Sequence, residues 1–438
     1  MAKRHVLRAG DWESIFGRLQ ELVMANSGED DFEEIFKLLI AKLFSELHSG
    51  KGSEFSSHSD PLITIEVINT ILAQAAETWK GVFQSGPYTR LTPEHLNVCV
   101  QVLQDHSISE TNLEVMDGAF EFLVNKTAKG AKGQYFTPRH VVEACVRIIN
   151  PSPSELIADP ACGSGGFLVH TLNYVREHNS KISAAEYCSD KIWGFDFDRR
   201  AIQVAKALML IAGDGSTNLY QLNSLLLPDS NFELFPDMNV YKEEIPKITI
   251  EDIMRTRFKK NNGIDIVLTN PPFAGEIQEG HLTDNYELCK KGRRVERDVL
   301  FLERCVKLLR PGGRIGIVLP TNKFGAPAWT YVREWLSKKV RIVAVMGLAR
   351  NTFLPHTHQK AGILFGIKRE QELKKIPNEK ILFLINEEAG KDSKGQFIDK
   401  PNTKPWEPAW TRADHDFGIL VERFKDFVGE NKINWGVL

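Results

Sequence analysis

Long apolar runs are missing from this chain of 438 residues. No stretch approaches the ~18 uninterrupted apolar residues of a membrane span, so no membrane partner is expected. The opening Met1-Ala2-Lys3-Arg4-His5 is basic but no apolar core follows it, so it does not read as a secretory signal. Paired cysteines are missing as well. Cys99, Cys145, Cys162, Cys188, Cys289 and Cys305 are scattered, with no Cys-x-x-Cys among them. That excludes a disulfide framework or a cysteine zinc site and fits free thiols in a reducing cytoplasm. His356 and His358 lie two apart without a cysteine or carboxylate pattern beside them, so no metal is expected. Excess charge of either sign is absent, the formal net charge being −2. A nucleic-acid partner would then need clustered basic residues, or a second subunit supplying much of the phosphate contact. No internal repeat, helicase motif or nuclease motif is found.

What is there divides by texture. The length suits two domains or three. The first ~125 residues read as helical. Asp11 is placed as an N-cap; Trp12, Ile15, Phe16, Leu19 and Leu22 then share a face, and Phe32, Ile35, Phe36, Leu39 and Leu43 repeat the pattern. Helices are expected at 63–83, 93–105 and 112–125, and nothing here reads as catalytic. After a basic loop, Lys129-Gly130-Ala131-Lys132-Gly133, strands and helices alternate. Strands are expected at 155–159, 192–196, 219–223, 264–269, 314–319, 340–346 and 361–367. That alternation argues for an α/β sheet, mostly parallel, with the last two strands as an antiparallel pair. From 403 a tail with tryptophans and prolines leads to an amphipathic helix at 414–428, suited to covering the core or docking a partner.

Three motifs carry chemistry. Asn270-Pro271-Pro272-Phe273 closes the apolar strand 264–269, and ligands of such sheets bind just beyond the carboxyl ends of strands. Asn270 offers a side-chain carbonyl and Pro271 a backbone carbonyl, two acceptors for both hydrogens of an exocyclic amine. The prolines fix φ and Phe273 can stack on the ring bearing that amine. The same residues also fit a plain Pro-Pro turn with a core Phe. Second, Asp159-Pro160-Ala161-Cys162-Gly163-Ser164-Gly165-Gly166 runs from a strand through a glycine-rich turn into a helix. No Lys-Ser/Thr follows, so this is no phosphate loop, and it is not the dinucleotide GxGxxG pattern either. An acid at the strand end suits the ammonium of an amino-acid-bearing ligand. Third, Asp196 ends the next strand, where an acid binds ribose hydroxyls, while Asp198 suits the N-cap of the following helix. An amino acid plus a ribose is S-adenosyl-L-methionine.

These stretches, with Gly133-Gln134-Tyr135-Phe136-Thr137-Pro138 ahead of them, resemble the amino-terminal, cofactor-loop and catalytic motifs of adenine-N6 DNA methyltransferases. The helical N-terminus and the absence of a separate recognition domain resemble the modification subunit of type I restriction-modification systems. The resemblance implies a Rossmann-like α/β sheet with an all-helical N-terminal domain, divided as 1–125, 126–402 and a 403–438 tail for subunit docking. It implies that Gly133, Gln134, Tyr135, Phe136, Thr137 and Pro138 line the cofactor pocket, though Tyr135 and Phe136 also suit core aromatics. Ser164, Gly165 and Gly166 would face its methionyl part, Asp159, Ala161 and Gly163 would also bind it, and Asp196 would hold its ribose. One departure stands out: the third-strand acid near the cofactor's adenine is here Asn223, which brings no charge.

The activity implied is methylation of the N6 amine of an adenine flipped out of double-stranded DNA. Asn270 and Pro271 would accept the amine hydrogens, while Pro272 and Phe273 would complete the catalytic tetrapeptide. The segment 274–297 lacks hydrophobic periodicity and carries Lys290, Lys291, Arg293 and Arg294, which suits a mobile loop contacting DNA phosphates. The partners implied are a specificity subunit, a second copy of the chain and a restriction subunit. Alternatives with the same tetrapeptide are a stand-alone adenine methyltransferase, a methyltransferase of RNA guanine or protein glutamine, and a non-catalytic scaffold.

Overall fold

The structure is a computed structural model. It describes residues 9–26, 30–48, 54–83, 86–111, 113–127, 136–179, 181–213, 218–228, 248–257, 263–273, 275–277, 285–289, 295–404 and 407–436. The chain forms two compact units, one made of 1–130, 203–217 and 404–408, the other of 131–202, 218–403 and 409–438. None of the described helices is long and apolar enough to cross a membrane.

The first unit holds α1 (Ala9–Asn26), α2 (Asp31–His48), α3 (Pro61–Thr78), α4 (Pro93–Leu103) and α5 (Leu113–Thr127). Two starts follow from local chemistry. Asp60 Oδ1 accepts from the Leu62 amide at 3.0 Å with Pro61 as the first helical residue, and Thr92 caps α4 ahead of Pro93 in the same way. Asp11 does not cap α1. It sits inside the first turn, where its charge still complements the helix's positive end. Trp12, Phe16, Phe32 and Phe36 are fully buried, as the 3.6-residue spacing of their neighbours requires.

The second unit carries the sheet. Its elements begin with α6 (Arg139–Ile149), β1 (Ile157–Asp159), α7 (Gly166–His178), α8 (Ala184–Lys191) and β2 (Ile192–Asp196). Then come α9 (Arg199–Ile211), which runs on into the first unit, β3 (Leu219–Gln221), α10 (Ile250–Arg257), β4 (Ile264–Thr269), β5 (Glu276–Ile277) and β6 (Val295–Glu296). After α11 (Arg297–Leu308) follow β7 (Leu309–Pro320), α12 (Asn322–Gly325), α13 (Thr330–Lys339), β8 (Val340–Gly347), β9 (Ala361–Lys368), β10 (Leu382–Ile385), α14 (Ala409–Arg412) and α15 (Phe417–Glu430). Eight strands form one sheet in the order β10-β8-β9-β7-β4-β1-β2-β3. All neighbours are parallel except β9, which runs antiparallel to both β7 and β8. The expected antiparallel pair is therefore present, with β9 inserted in the sheet between β7 and β8.

The strands β1, β2 and β4 are short apolar runs because both faces are covered, and Ala158, Trp193, Phe195 and Val267 are completely buried. Each large side chain so buried contributes roughly 1.5–3 kcal/mol. The expected strand 219–223 stops at Gln221, so Asn223 falls in the turn beyond it. α15 turns Phe417, Leu420, Val421, Phe424 and Val428 inward and packs on α6 and β10. Trp435 follows, its indole N–H donating to Ile148 O at 2.6 Å. The tail thus covers the core of this unit.

Candidate active site

The carboxyl ends of β4, β1, β2 and β3 stand side by side, neighbours being ~4.8 Å apart. Each ends in or just before a polar side chain: Asn270 one residue past β4, Asp159 on β1, Asp196 on β2, and Asn223 two residues past β3. The adjacency follows from chain order: consecutive β1, β2 and β3 build outward on one side, and β4 returns to the other side of β1.

The glycine turn shapes the middle of this row. Gly163 and Gly165 have φ of 52° and 84°, the left-handed region that a side chain disfavours. This folds the turn so that the Gly163 amide donates to Asp196 Oδ2 at 2.8 Å and the Ala161 amide to Asp159 Oδ1 at 3.0 Å. The Asp198 amide donates to Asp196 Oδ1 at 2.8 Å. Asp198 in turn caps α9, accepting from Arg200 and Ala201 at 2.8 and 3.2 Å. Burial drives both site acids upward: Asp159 to about 7, with the Asp196 charge adding to the rise, and Asp196 to about 6. Two buried carboxylates that resist ionisation favour a ligand bringing positive charge and hydroxyl donors. Ser164 is buried within the turn, Gly165 precedes α7, and a Cβ on Gly166 would lie 2.1 Å from Arg139 Nη1. Arg139, the first residue of α6, is thus a cation at the start of α7 that motif reading missed.

At β4 the chemistry changes from charge to shape. The Asn270 Nδ2 donates to Thr137 Oγ1 at 2.9 Å, which turns the amide's carbonyl oxygen the other way. This bond joins two motifs 133 residues apart. Pro271 is buried and Pro272 half-buried. Phe273, 9% exposed, meets Phe353 edge-on, with centroids 6.0 Å apart and planes at 78°. Phe353 lies in the connection between β8 and β9 and carried no signal in the sequence beyond being aromatic. Phe136 and Thr137 are half-buried, and Pro138 directly precedes α6. Gly133, Gln134 and Tyr135 lie outside the described residues, as do Lys290, Lys291, Arg293 and Arg294.

The segment 274–297, expected as one mobile loop, is anchored where it is described. β5 and β6 pair antiparallel and close its base, and the Arg297 amide donates to Gly275 O at 3.1 Å. Lys323 ties that base down through Glu296 and, at 3.3 Å, Asp298. Midway, Tyr286 and Leu288 are buried. The fully buried Glu303 carboxylate accepts the Glu287 and Leu288 amides, each at 2.8 Å. Tyr and Leu two apart are too sparse a pattern to reveal such packing from periodicity.

The sheet order defines a Rossmann-like α/β fold, one that S-adenosylmethionine-dependent methyltransferases also use. A structure from Listeria monocytogenes described as a proposed class I member of that group superposes with a TM-score of 0.53 at 16% identity, covering 86% of this chain and 92% of that one. The family model for N-6 DNA methylases matches residues 111–405, and the chain belongs to that family. A type I restriction-modification methyltransferase subunit from Streptococcus thermophilus shares the fold with a TM-score of 0.59 at 15% identity, covering 98% of both chains. The StySPI type I methylase subunit of Salmonella potsdam is 26% identical over 304 residues, 66% of this chain and 52% of that protein. The chain spans about half the length of the curated relatives it matches.

Proposed function

We propose that this chain is the modification subunit of a type I restriction-modification system, a site-specific adenine DNA methyltransferase. It transfers a methyl group from S-adenosyl-L-methionine to the N6 amine of an adenine flipped out of double-stranded DNA. A separate specificity subunit chooses the sequence, and two copies of this chain assemble with it, joined by a restriction subunit in the full complex. The near-neutral charge fits a chain that relies on a partner for DNA contact. The cytoplasm is its place, where scattered thiols stay reduced.

One observation carries this reading: the row Asn270, Asp159, Asp196, Asn223 along adjacent strand ends. Read from one end, it offers acceptors for an amine, an acid for an ammonium, an acid for a ribose and an amide for an adenine. The residues fit the cofactor, since the turn's amides hold both acids in place and the space beside Gly163 is open. When bound, S-adenosylmethionine supplies an electrophilic sulfonium methyl group.

The adenine amine is a poor nucleophile because its lone pair is delocalised into the ring. Asn270 Oδ1 and Pro271 O accept its two hydrogens and favour a pyramidal nitrogen whose lone pair faces the methyl group. Thr137 fixes the Asn270 amide, the prolines fix the backbone, and Phe273, braced by Phe353, holds the flipped ring. Catalysis is then positioning and preorganised electrostatics; as the C–N bond forms the S–C bond breaks to leave S-adenosylhomocysteine, and the methylated amine, now acidic, gives its extra proton to solvent without a strong base. The test is incubation with labelled S-adenosylmethionine and duplex DNA, with and without the specificity subunit. N6-methyladenine is expected with the partner present, formed at least about 10²-fold more slowly by Asn270→Ala. Its absence from the wild-type reaction, or wild-type turnover by the variant, overturns the assignment.

A further inference from the structure

The turn after β3 is buried from Ser224 to Leu227, and donors from elsewhere in the chain hold its backbone. It closes on itself through Asn223 Oδ1, which accepts from the Leu225 amide at 3.1 Å, and Asn223 O, which accepts from the Leu226 amide at 3.0 Å. Two further donors come from distant parts of the chain. Arg304 Nε donates to Ser224 O at 2.6 Å, and the Tyr286 hydroxyl donates to Leu225 O at 2.8 Å. Arg304 is fully buried, and its fork takes both oxygens of Glu251 at 2.5 and 2.7 Å.

A buried guanidinium carries a desolvation cost that a packed leucine would avoid. Here its Nε–H reaches a single backbone carbonyl of this turn. Neutral Asn223 sharpens the point. A carboxylate attracts an amine from a range of directions, whereas an amide must aim one acceptor and one donor group. With no charge to draw the ligand in, direction must come from the backbone that carries the side chain.

We infer that Tyr286 and Arg304 are positioning residues for the adenine end of the cofactor: by fixing the Leu225 and Ser224 carbonyls they set the direction in which Asn223 presents its amide. This rests on the reading that S-adenosylmethionine lies along the strand ends. It also gives the anchored part of the 274–297 segment a function, since Tyr286 joins that segment to the cofactor turn.

The experiment measures binding of S-adenosylhomocysteine and of its hypoxanthine counterpart, S-inosylhomocysteine, by calorimetry on the full chain. Tyr286→Phe keeps the buried ring and loses one hydrogen bond, so S-adenosylhomocysteine should bind roughly five-fold more weakly. The preference for adenine over hypoxanthine should narrow, and kcat at saturating cofactor should hold. Arg304→Lys keeps a cation for Glu251 but loses the Nε geometry, and it should act in the same direction. Trp335→Phe is the control, because the Trp335 indole N–H donates to Glu287 at 2.9 Å on the same segment and not to the turn; it should leave affinity and preference unchanged. Unchanged base preference in Tyr286→Phe overturns the inference, as does an equal loss in Trp335→Phe. Wild-type chain that binds no S-adenosylhomocysteine removes the cofactor reading itself, and this inference with it.

Discussion

The ends of β1 and β4 are neighbours in the sheet but are built in opposite ways. At β1 and its partner β2 the side chains are acids, buried and held by backbone amides of the glycine turn and of Asp198. At β4 the side chain is a neutral amide, held by a hydroxyl from a segment 133 residues away and followed by two prolines. The first arrangement stores unfavourable charge that a cationic ligand relieves. The second stores no charge and fixes direction. On the proposed function, binding and chemistry are assigned to different physical means one strand apart.

Breaking the β4 side should have the largest effect. Asn270→Ala removes an acceptor aimed at the reacting amine and should lower kcat by at least about 10²-fold, with S-adenosylhomocysteine affinity unchanged. A calorimetric loss equal to the kinetic one would merge the two halves of the site. Next is Asp196→Asn, which removes the charge from the β2 end. Cofactor affinity should fall by about ten-fold, a loss of ~1.4 kcal/mol, while kcat at saturation stays near that of the wild type. Thr137→Val tests the joint between motifs. Without its hydroxyl the Asn270 amide loses its orienting partner, and kcat should fall several-fold with little change in cofactor affinity.

The smallest signal is a proton count. Asp159 and Asp196 are raised to about 7 and about 6, so near pH 6.5 both carry fractional protons in the free protein. A cationic ligand favours the carboxylates, so binding should release protons there, and affinity should weaken as pH falls from 8 to 6. Calorimetry in buffers of different ionisation enthalpy reads this directly. The sign for folding is opposite. Acids raised above their unfolded value of 3.8 contribute stability that is present below it and lost as pH rises through 6 to 7. Stability without ligand should therefore drift downward over the range in which cofactor affinity climbs.

What was legible in the chain follows from how local each cause is. β1, β2 and β4 were readable because burial on both faces writes an apolar run, and the glycine turn because left-handed φ demands glycine. β10 was not, since an edge strand with Phe383 and Ile385 exposed has neither alternation nor length. α8 and α10 were missed because eight residues with few apolar positions leave no periodicity. The supports of the site were hidden for a different reason. Arg139, Phe353, Arg304 and Tyr286 act on partners that only the folded sheet brings near, and no spacing rule links 286 to 225. The tetrapeptide could be read as a site, but not the hydroxyl of Thr137 that orients it.

The pairing of β1 with β4 also bears on how the chain is made. The Leu156 amide donates to the Asp265 carboxylate at 2.7 Å across 109 residues, and Ile157 stands opposite Ile266. Loops that long close late, and sheets built on them form slowly. During synthesis the acids of β1 and β2 emerge well before the strand that stands between them and the sheet's far half. A ribosome-bound chain stopped before residue 264 would hold the acids but not the Asn270 amide, and its apolar β1 edge would wait uncovered. For this protein the vulnerable moment is the interval between translating the cofactor turn and translating the tetrapeptide, and a chaperone's help would be worth most there.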